Sequence, residues 1–218
     1  MVNIGRVVYE ATLPSFQIIL QLKLKCMIKL MNWLNAIHPI STELSDRLEA
    51  VVKVKLIVKK DYLLKAGHYC RNIYFVEKGL LWTYYFQQGK VISSAFTKEN
   101  EISVSLESFY TQKYGVECIQ ALEDTDLSYI SYEDYQGLNK DFPEFNAICR
   151  ILLERCHVLR EQRLSALWMQ SAEDRLRWFV NQYPDLFQRV QGRYLASYLG
   201  MSNVMLSRIR GRPTNRNK

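Results

Sequence analysis

GRYLASYLGMSNVMLSRIRG, Gly192 to Gly211, reads as two short helices joined by a tight turn. Such a helix-turn-helix needs a small residue midway along its first helix, a turn residue tolerant of positive φ, and apolar residues where the helices cross. Ala196 supplies the first and Gly200 the second, while Leu195, Leu199, Met201, Leu206 and Ile209 supply the shared core. Ser202 is a good N-cap, which predicts one amphipathic helix over Asn203 to Arg210. With Leu206 and Ile209 turned inward, Asn203, Val204, Ser207 and Arg208 must face outward. That set suits the floor of a DNA major groove, where Arg reads guanine N7/O6, Asn reads adenine and an apolar tip touches a thymine methyl. The plainer reading is an ordinary helical hairpin with a charged rim.

Charge separates the two readings. The 33 residues from Leu186 to Lys218 hold seven basic residues and no Asp or Glu, so the first 185 residues hold 22 of each sign and the net charge of +7 belongs to this segment. Arg189, Arg193, Arg208, Arg210, Arg212, Arg216 and Lys218 are predicted to form a footprint for phosphates, with affinity falling steeply as salt rises. A solvated basic tail explains Arg216 and Lys218. It leaves the acid-free helices before them unexplained.

Upstream, 218 residues at 48% hydrophobic suffice for a real core and for two modest domains. Period-two patterning fills the middle third and helical patterning the last 75 residues, which predicts a sheet domain followed by a helical one. Strands are expected near Val54–Val58, Asn72–Glu77, Leu80–Phe86, Val91–Phe96, Val116–Leu122 and Leu127–Ser131, with turns at Ala66-Gly67, Lys78-Gly79 and Gln88-Gly89. Strands this short and evenly spaced suggest a sandwich, roll or barrel. Asn32 to Val52 reads as one or two short helices punctuated by Pro39 and Ser41-Thr42, and Glu133 to Leu138 as another.

Asp141, Phe142 and Pro143 open a much longer helix, about 40 Å long, with an incomplete heptad-like stripe. We expect Ile148, Ile151, Leu152 and Leu159 to form a dimer seam, with Arg150, Glu154, Arg155, Arg160, Glu161 and Arg163 elsewhere; packing on the chain's own sheet is the alternative. Ser171 caps the next helix, with Asp174 at the capping-box position, and Pro184 ends it. Only seven residues follow Gly211, too few for a full wing. The predicted fold is α+β: an antiparallel β-roll (a double-stranded β-helix), a long connecting and dimerisation helix, and a C-terminal helix-turn-helix. The expected divisions are 1–30, an extension; 31–142, the roll with flanking helices; 143–170, the long helix; and 171–218, the helix-turn-helix domain.

Residues 13–31 are apolar enough to resemble a membrane segment, but Lys23, Lys25 and Lys29 interrupt the run below the roughly 18 to 20 residues that spanning requires. A natural start at Met27 or Met31 is our preferred explanation of this stretch, and no membrane partner is expected. Cys26, Cys70, Cys118, Cys149 and Cys156 show no CxxC pair, which suits reduced thiols in a cytoplasm. Cys149 and Cys156 could share a helix face, and buried structural thiols are favoured over a redox role.

Taken together these segments resemble the Crp/Fnr-type transcription regulators, among them the shorter branch common in Bacteroidetes-type bacteria. The resemblance is carried by IYFVEKGL (Ile73 to Leu80), SAFTKENE (Ser94 to Glu101), IQALEDTDL (Ile119 to Leu127), FPEFN (Phe142 to Asn146) and ASYLGMSNVMLSRIR (Ala196 to Arg210). It implies a homodimer whose effector domain adjusts the pose of two DNA-reading helices. Members that bind cyclic AMP set a Gly-Glu pair against the ribose and an Arg-Ser or Arg-Thr pair against the cyclic phosphate. Here Glu107-Ser108 falls in the first region, whereas Gly115-Val116 stands where the Arg pair belongs, and Lys113 is a poorer geometric match than Arg. A tightly bound cyclic nucleotide is therefore not expected, and the effector is an unidentified small molecule.

The iron–sulfur branch uses four cysteines, mostly near the N-terminus, and only Cys26 precedes Cys70; haem would need an axial ligand such as His68 or Cys70. No cofactor and no metal are expected. Val204 stands where many relatives carry a Glu that accepts from cytosine N4, so the family's operator does not transfer.

The leading reading is a sequence-specific, dimeric regulator that binds double-stranded DNA through Arg193, Ser202, Asn203, Val204, Ser207, Arg208, Arg210 and Arg212. RNA polymerase is a partner only for an activator, and exposed loop charges do not single out a patch for it. The alternative is a small-molecule sensor acting through protein contacts, with the basic helices meeting an acidic partner. An enzyme on a cupin-like roll would need several His and carboxylate ligands, and His38, His68 and His157 lie in three separate contexts, so no catalysis is expected.

Overall fold

The computed structural model describes residues 13–169 and 171–211. Two helices lead, α1 (Leu13–Ile37) and α2 (Thr42–Val51). Ser41 caps α2, its Oγ accepting from the Leu44 N–H at 3.1 Å, and Leu44, Leu48 and Val51 recur on the buried face. Strands follow: β1 (Lys53–Ile57), β2 (Tyr62–Leu64), β3 (Asn72–Lys78), β4 (Leu81–Gln87), β5 (Lys90–Thr97) and β6 (Ile102–Ser103). After the short helix α3 (Leu106–Thr111) come β7 (Glu117–Ala121) and β8 (Thr125–Ser131). The rest is helical: α4 (Tyr132–Asp141), α5 (Pro143–Met169), α6 (Ala172–Gln182), α7 (Leu186–Arg189), α8 (Gly192–Tyr198) and α9 (Asn203–Arg210).

The strands make two antiparallel sheets, ordered β1-β8-β3-β6 and β2-β7-β4-β5. The β4–β5 hairpin turns on Gln88 and Gly89, both at positive φ (49° and 75°), a two-residue loop whose twist matches that of the flanking strands. Tyr74, Val76, Leu81, Ile119 and Leu127 are buried in the main core.

Both sheets are also covered on their outer faces. Helices α1 and α5 lie on the first, where Trp33 meets Phe75 with ring centroids 4.9 Å apart. The C-terminal helices lie on the second, through Trp82, Tyr84 and Phe96. This double cover explains why β3 and β4 show runs of four buried residues where a half-wet strand would alternate.

Helix α1 runs unbroken across the boundary expected at residues 30 and 31. Met27, Leu30 and Leu34 are buried in the main core, so residues assigned to an extension pack with the roll. Among the described residues no helix is long and apolar enough to cross a membrane.

Candidate nucleic-acid interface

Leu195, Ala196, Tyr198 and Leu199 of the α8 segment are buried, and Ala196 at 2% exposure gives the close approach that its size permits. The helix ends as the sequence predicts. Gly200 has φ +63°, the Met201 N–H donates to Ala196 O at 3.0 Å and the Gly200 N–H to Ser197 O at 3.2 Å. These bonds satisfy carbonyls that a helix end leaves open.

Ser202 then caps α9, accepting from the Met205 N–H at 3.1 Å. Leu206, 1% exposed, anchors α9 on α8, and Ile209 is half-buried beside it. Asn203, Val204, Ser207 and Arg208 are all exposed, Val204 at 69%. Met205, also exposed, adds an apolar contact that the sequence reading left out.

Two predicted cations flank this face. Arg193 is exposed, lies over the Tyr194 ring at 4.7 Å and donates to its hydroxyl at 2.8 Å. Arg210 lies over the Phe187 ring at 4.4 Å. Such stacking lowers the entropy lost when an arginine meets a phosphate. Arg212, Arg216 and Lys218 lie outside the described residues.

Arg189 corrects the predicted footprint. Its guanidinium meets both Glu99 and Glu123 of the roll, and it donates to Gly79 O at 3.1 Å, so its charge is met inside the molecule.

More contacts join the helix-turn-helix to the second sheet. Ser197 Oγ accepts from the Ser93 N–H at 2.9 Å and donates to Val91 O at 2.8 Å. Tyr194 lies 3.9 Å from Trp82, and Lys98 pairs with Asp185 at 2.7 Å. Arg163, expected on the polar side of the long helix, instead points inward. It donates to the carbonyls of Ser93, Ser94 and Tyr198 and sits 4.1 Å over the Tyr198 ring. It ties α5, β5 and α8 at one point.

The predicted seam residues of α5 divide. Ile148 is 1% exposed and Leu152 packs against the main core, so these two hold α5 to its own sheet, and that part of the expected seam is corrected. Ile151 is half-buried and Leu159 exposed. Beyond them Leu153, Leu164 and Trp168 are exposed, Trp168 at 82%, along a strip of helical spacing that includes His157 and Arg160.

The expected effector residues converge only in part. Ser108 is buried, accepting from the Cys70 N–H at 2.9 Å and donating to Lys113 O at 2.6 Å. Gly115 lies against Ser108, but Glu107 and Val116 are exposed. Beside them Glu117, which the sequence reading passed over, accepts from Ser105 Oγ at 2.6 Å and Ser94 Oγ at 3.2 Å. A carboxylate thus occupies the neighbourhood where an anionic ligand would need a cation. Among the described residues no group of three His, Cys, Asp or Glu is placed to hold a metal ion.

No protein-family model matches this sequence, and no curated protein matches it. Solved structures do resemble it in fold. FixK2 from Bradyrhizobium japonicum superposes with a TM-score of 0.65 at 14% identity, over 73% of this chain and 83% of that one. A transcriptional regulator of the Crp/Fnr family from Eubacterium rectale gives 0.65 at 16%, over 82% and 85%. CLP from Xanthomonas campestris, described as a c-di-GMP-responsive global regulator, gives 0.64 at 16%, over 78% and 89%. At these identities the likeness is one of fold: a cyclic-nucleotide-binding-type roll followed by a C-terminal helical domain.

Proposed function

We propose that this chain is a sequence-specific DNA-binding transcription regulator of the Crp/Fnr type, acting in the cytoplasm as a homodimer. One observation carries the reading. Helix α9 turns Asn203, Val204, Ser207 and Arg208 to solvent while Leu206 fixes it to its own module. The 33-residue segment that holds it has no acidic residue. An exposed, capped, cation-flanked helix is the shape that enters a major groove.

One short helix reads only a few base pairs, so two copies are needed for a specific site. The strip Leu153, Leu164 and Trp168 on α5 is the surface we assign to pairing, in place of Ile148 and Leu152. The effector domain does not take cyclic AMP: no arginine stands at Gly115-Val116, and the Glu117 carboxylate would repel the phosphodiester. Selection of bound sequences from random duplexes tests the function. Enrichment of a palindrome, bound with a steep inverse dependence on salt, is the expected result. Recovery of no palindrome, with binding to acidic protein instead, defeats it.

A further inference from the structure

A cavity of about 80 Å³ lies between the outer face of the first sheet and helices α1 and α5. Trp33 and Leu34, Ile73 and Phe75, and Ile148 and Cys149 contribute its walls. Strand register places it outside the roll. Phe75 pairs with Ser128 and Ile73 with Ile130, so these four side chains share the sheet face that meets α1, and Tyr74 and Val76 point the other way. None of Glu107, Ser108, Gly115 and Val116 lines the cavity.

Its chemistry restricts the occupant. No charged side chain lines it. Two of its hydroxyls are already engaged, Ser128 Oγ with Glu77 Oε1 at 2.5 Å and Tyr135 OH with Tyr110 OH at 3.0 Å. A water molecule needs two to four polar partners, which this wall does not offer, whereas a dry apolar cavity of about 150 Å³ accepts benzene or xenon. Burial pushes the Cys149 thiol up to about 11, so it stays neutral at physiological pH.

We propose that this cavity is a binding site for an uncharged, apolar molecule smaller than benzene. Size and lining both rule out a nucleotide. The site is coupled to the DNA-reading module through α5, which supplies one wall and continues to Arg163 and to Leu167, the latter packed against Gly200. The coupling rests on the function proposed above; the binding does not.

Xenon is the probe. Full-length protein with ¹³C-labelled methyl groups should show saturable shifts at Ile73, Ile148 and Leu152 under xenon pressure. Cys149→Leu, which fills the void, should abolish them. Ile148→Val, which enlarges the void, should strengthen xenon binding and serves as the control if Cys149→Leu does not fold. Absence of saturable shifts in the parent, or equal shifts in the filled variant, overturns the site. Under xenon, affinity for a selected operator should change at least twofold. Unchanged affinity with saturable binding overturns the coupling alone, and failure to select any operator defeats the DNA reading while leaving the site standing.

Discussion

Arg189 and Glu99 meet fork to fork, with Nη1 2.9 Å from Oε2 and Nη2 2.9 Å from Oε1. Glu123 takes the other edge of the same guanidinium, at 3.0 Å from Nε and 2.7 Å from Nη2. One arginine of the C-terminal helical module thus closes two bidentate pairs on the roll, a geometry that a point charge cannot reproduce.

Arg189→Ala should destabilise the protein by about 2 to 3 kcal/mol, since it leaves two partly buried carboxylates side by side without a cation. Arg189→Lys should recover only a minor part. Urea unfolding measures the loss, and amide exchange in α7 and α8 should speed up with it. A loss below about 0.5 kcal/mol for the Ala variant would mean that the fork contributes no more than an ordinary surface pair.

The same fork sets a pH dependence. Burial alone would raise the Glu99 pKa, but the Arg189 hydrogen bonds, helped by the backbone donor at Gly79, outweigh it and bring the carboxyl from 4.5 down to about 2. A pKa depressed in the folded state contributes stability that is fully present above the unfolded value and is lost as pH falls through the folded one. Asp185, lowered in the same direction by Lys98 against its own burial, adds to the effect. The stability deficit of Glu99→Gln should therefore be constant from pH 7 to 5, shrink below about 4.5 and vanish near 2. A deficit that stays constant throughout acid titration would refute this assignment.

Local signals in the sequence were decisive where the physics is local. Gly200, Ser202 and the inward pair Leu206 and Ile209 depend on neighbours within a few residues, so their roles were legible, as was the turn at Gln88-Gly89. Strands β2 and β6 and helices α3 and α7 span two to six residues, too few for any periodicity to register.

The long helix was legible as a helix but not by face. Ile148 and Leu152 look the same in sequence whether they meet a sheet or a second copy. Arg163 was misplaced because a guanidinium with three carbonyl acceptors can be buried without an acidic partner. Arg189 looked like a phosphate contact because its partners stand 90 and 66 residues away.

Gly200→Ala should cost about 1 to 2 kcal/mol, the penalty for an L-residue at the observed φ of +63°. The added Cβ would sit 2.8 Å from Leu167 Cδ2, the free end of a flexible side chain, so steric conflict there is relieved by a small rotation. Gly200→Asn should cost less, since Asn tolerates the left-handed region. Equal losses for the two variants, read from urea midpoints, would place the cost in contact with Leu167 and not in the backbone.

Pairing along α5 predicts that Leu164→Glu converts dimer to monomer in sedimentation without lowering the unfolding midpoint of the monomer, because Leu164 is already exposed. Trp168→Ala should weaken pairing by a larger factor than Leu159→Ala, as a large exposed aromatic is the better anchor. An unchanged dimer in both Leu164→Glu and Trp168→Ala would move the interface elsewhere.

Arg208 and Arg193 should separate reading from holding. Arg208 lies on the outward face of α9 with Asn203 and Val204, so Arg208→Ala should cost about 1 to 3 kcal/mol on the selected sequence and relax the preference at one position of each half-site. Arg193 lies on α8, stacked on Tyr194 at the flank of that face and not on α9 itself, so Arg193→Ala should weaken selected and random duplexes alike and reduce the salt slope by about one unit per half-site. Arg189→Ala should leave the slope unchanged, because its charge is already met by Glu99 and Glu123. Titrations of the three variants at several salt concentrations distinguish these roles. Equal loss on selected and random DNA for Arg208→Ala would remove it from base readout.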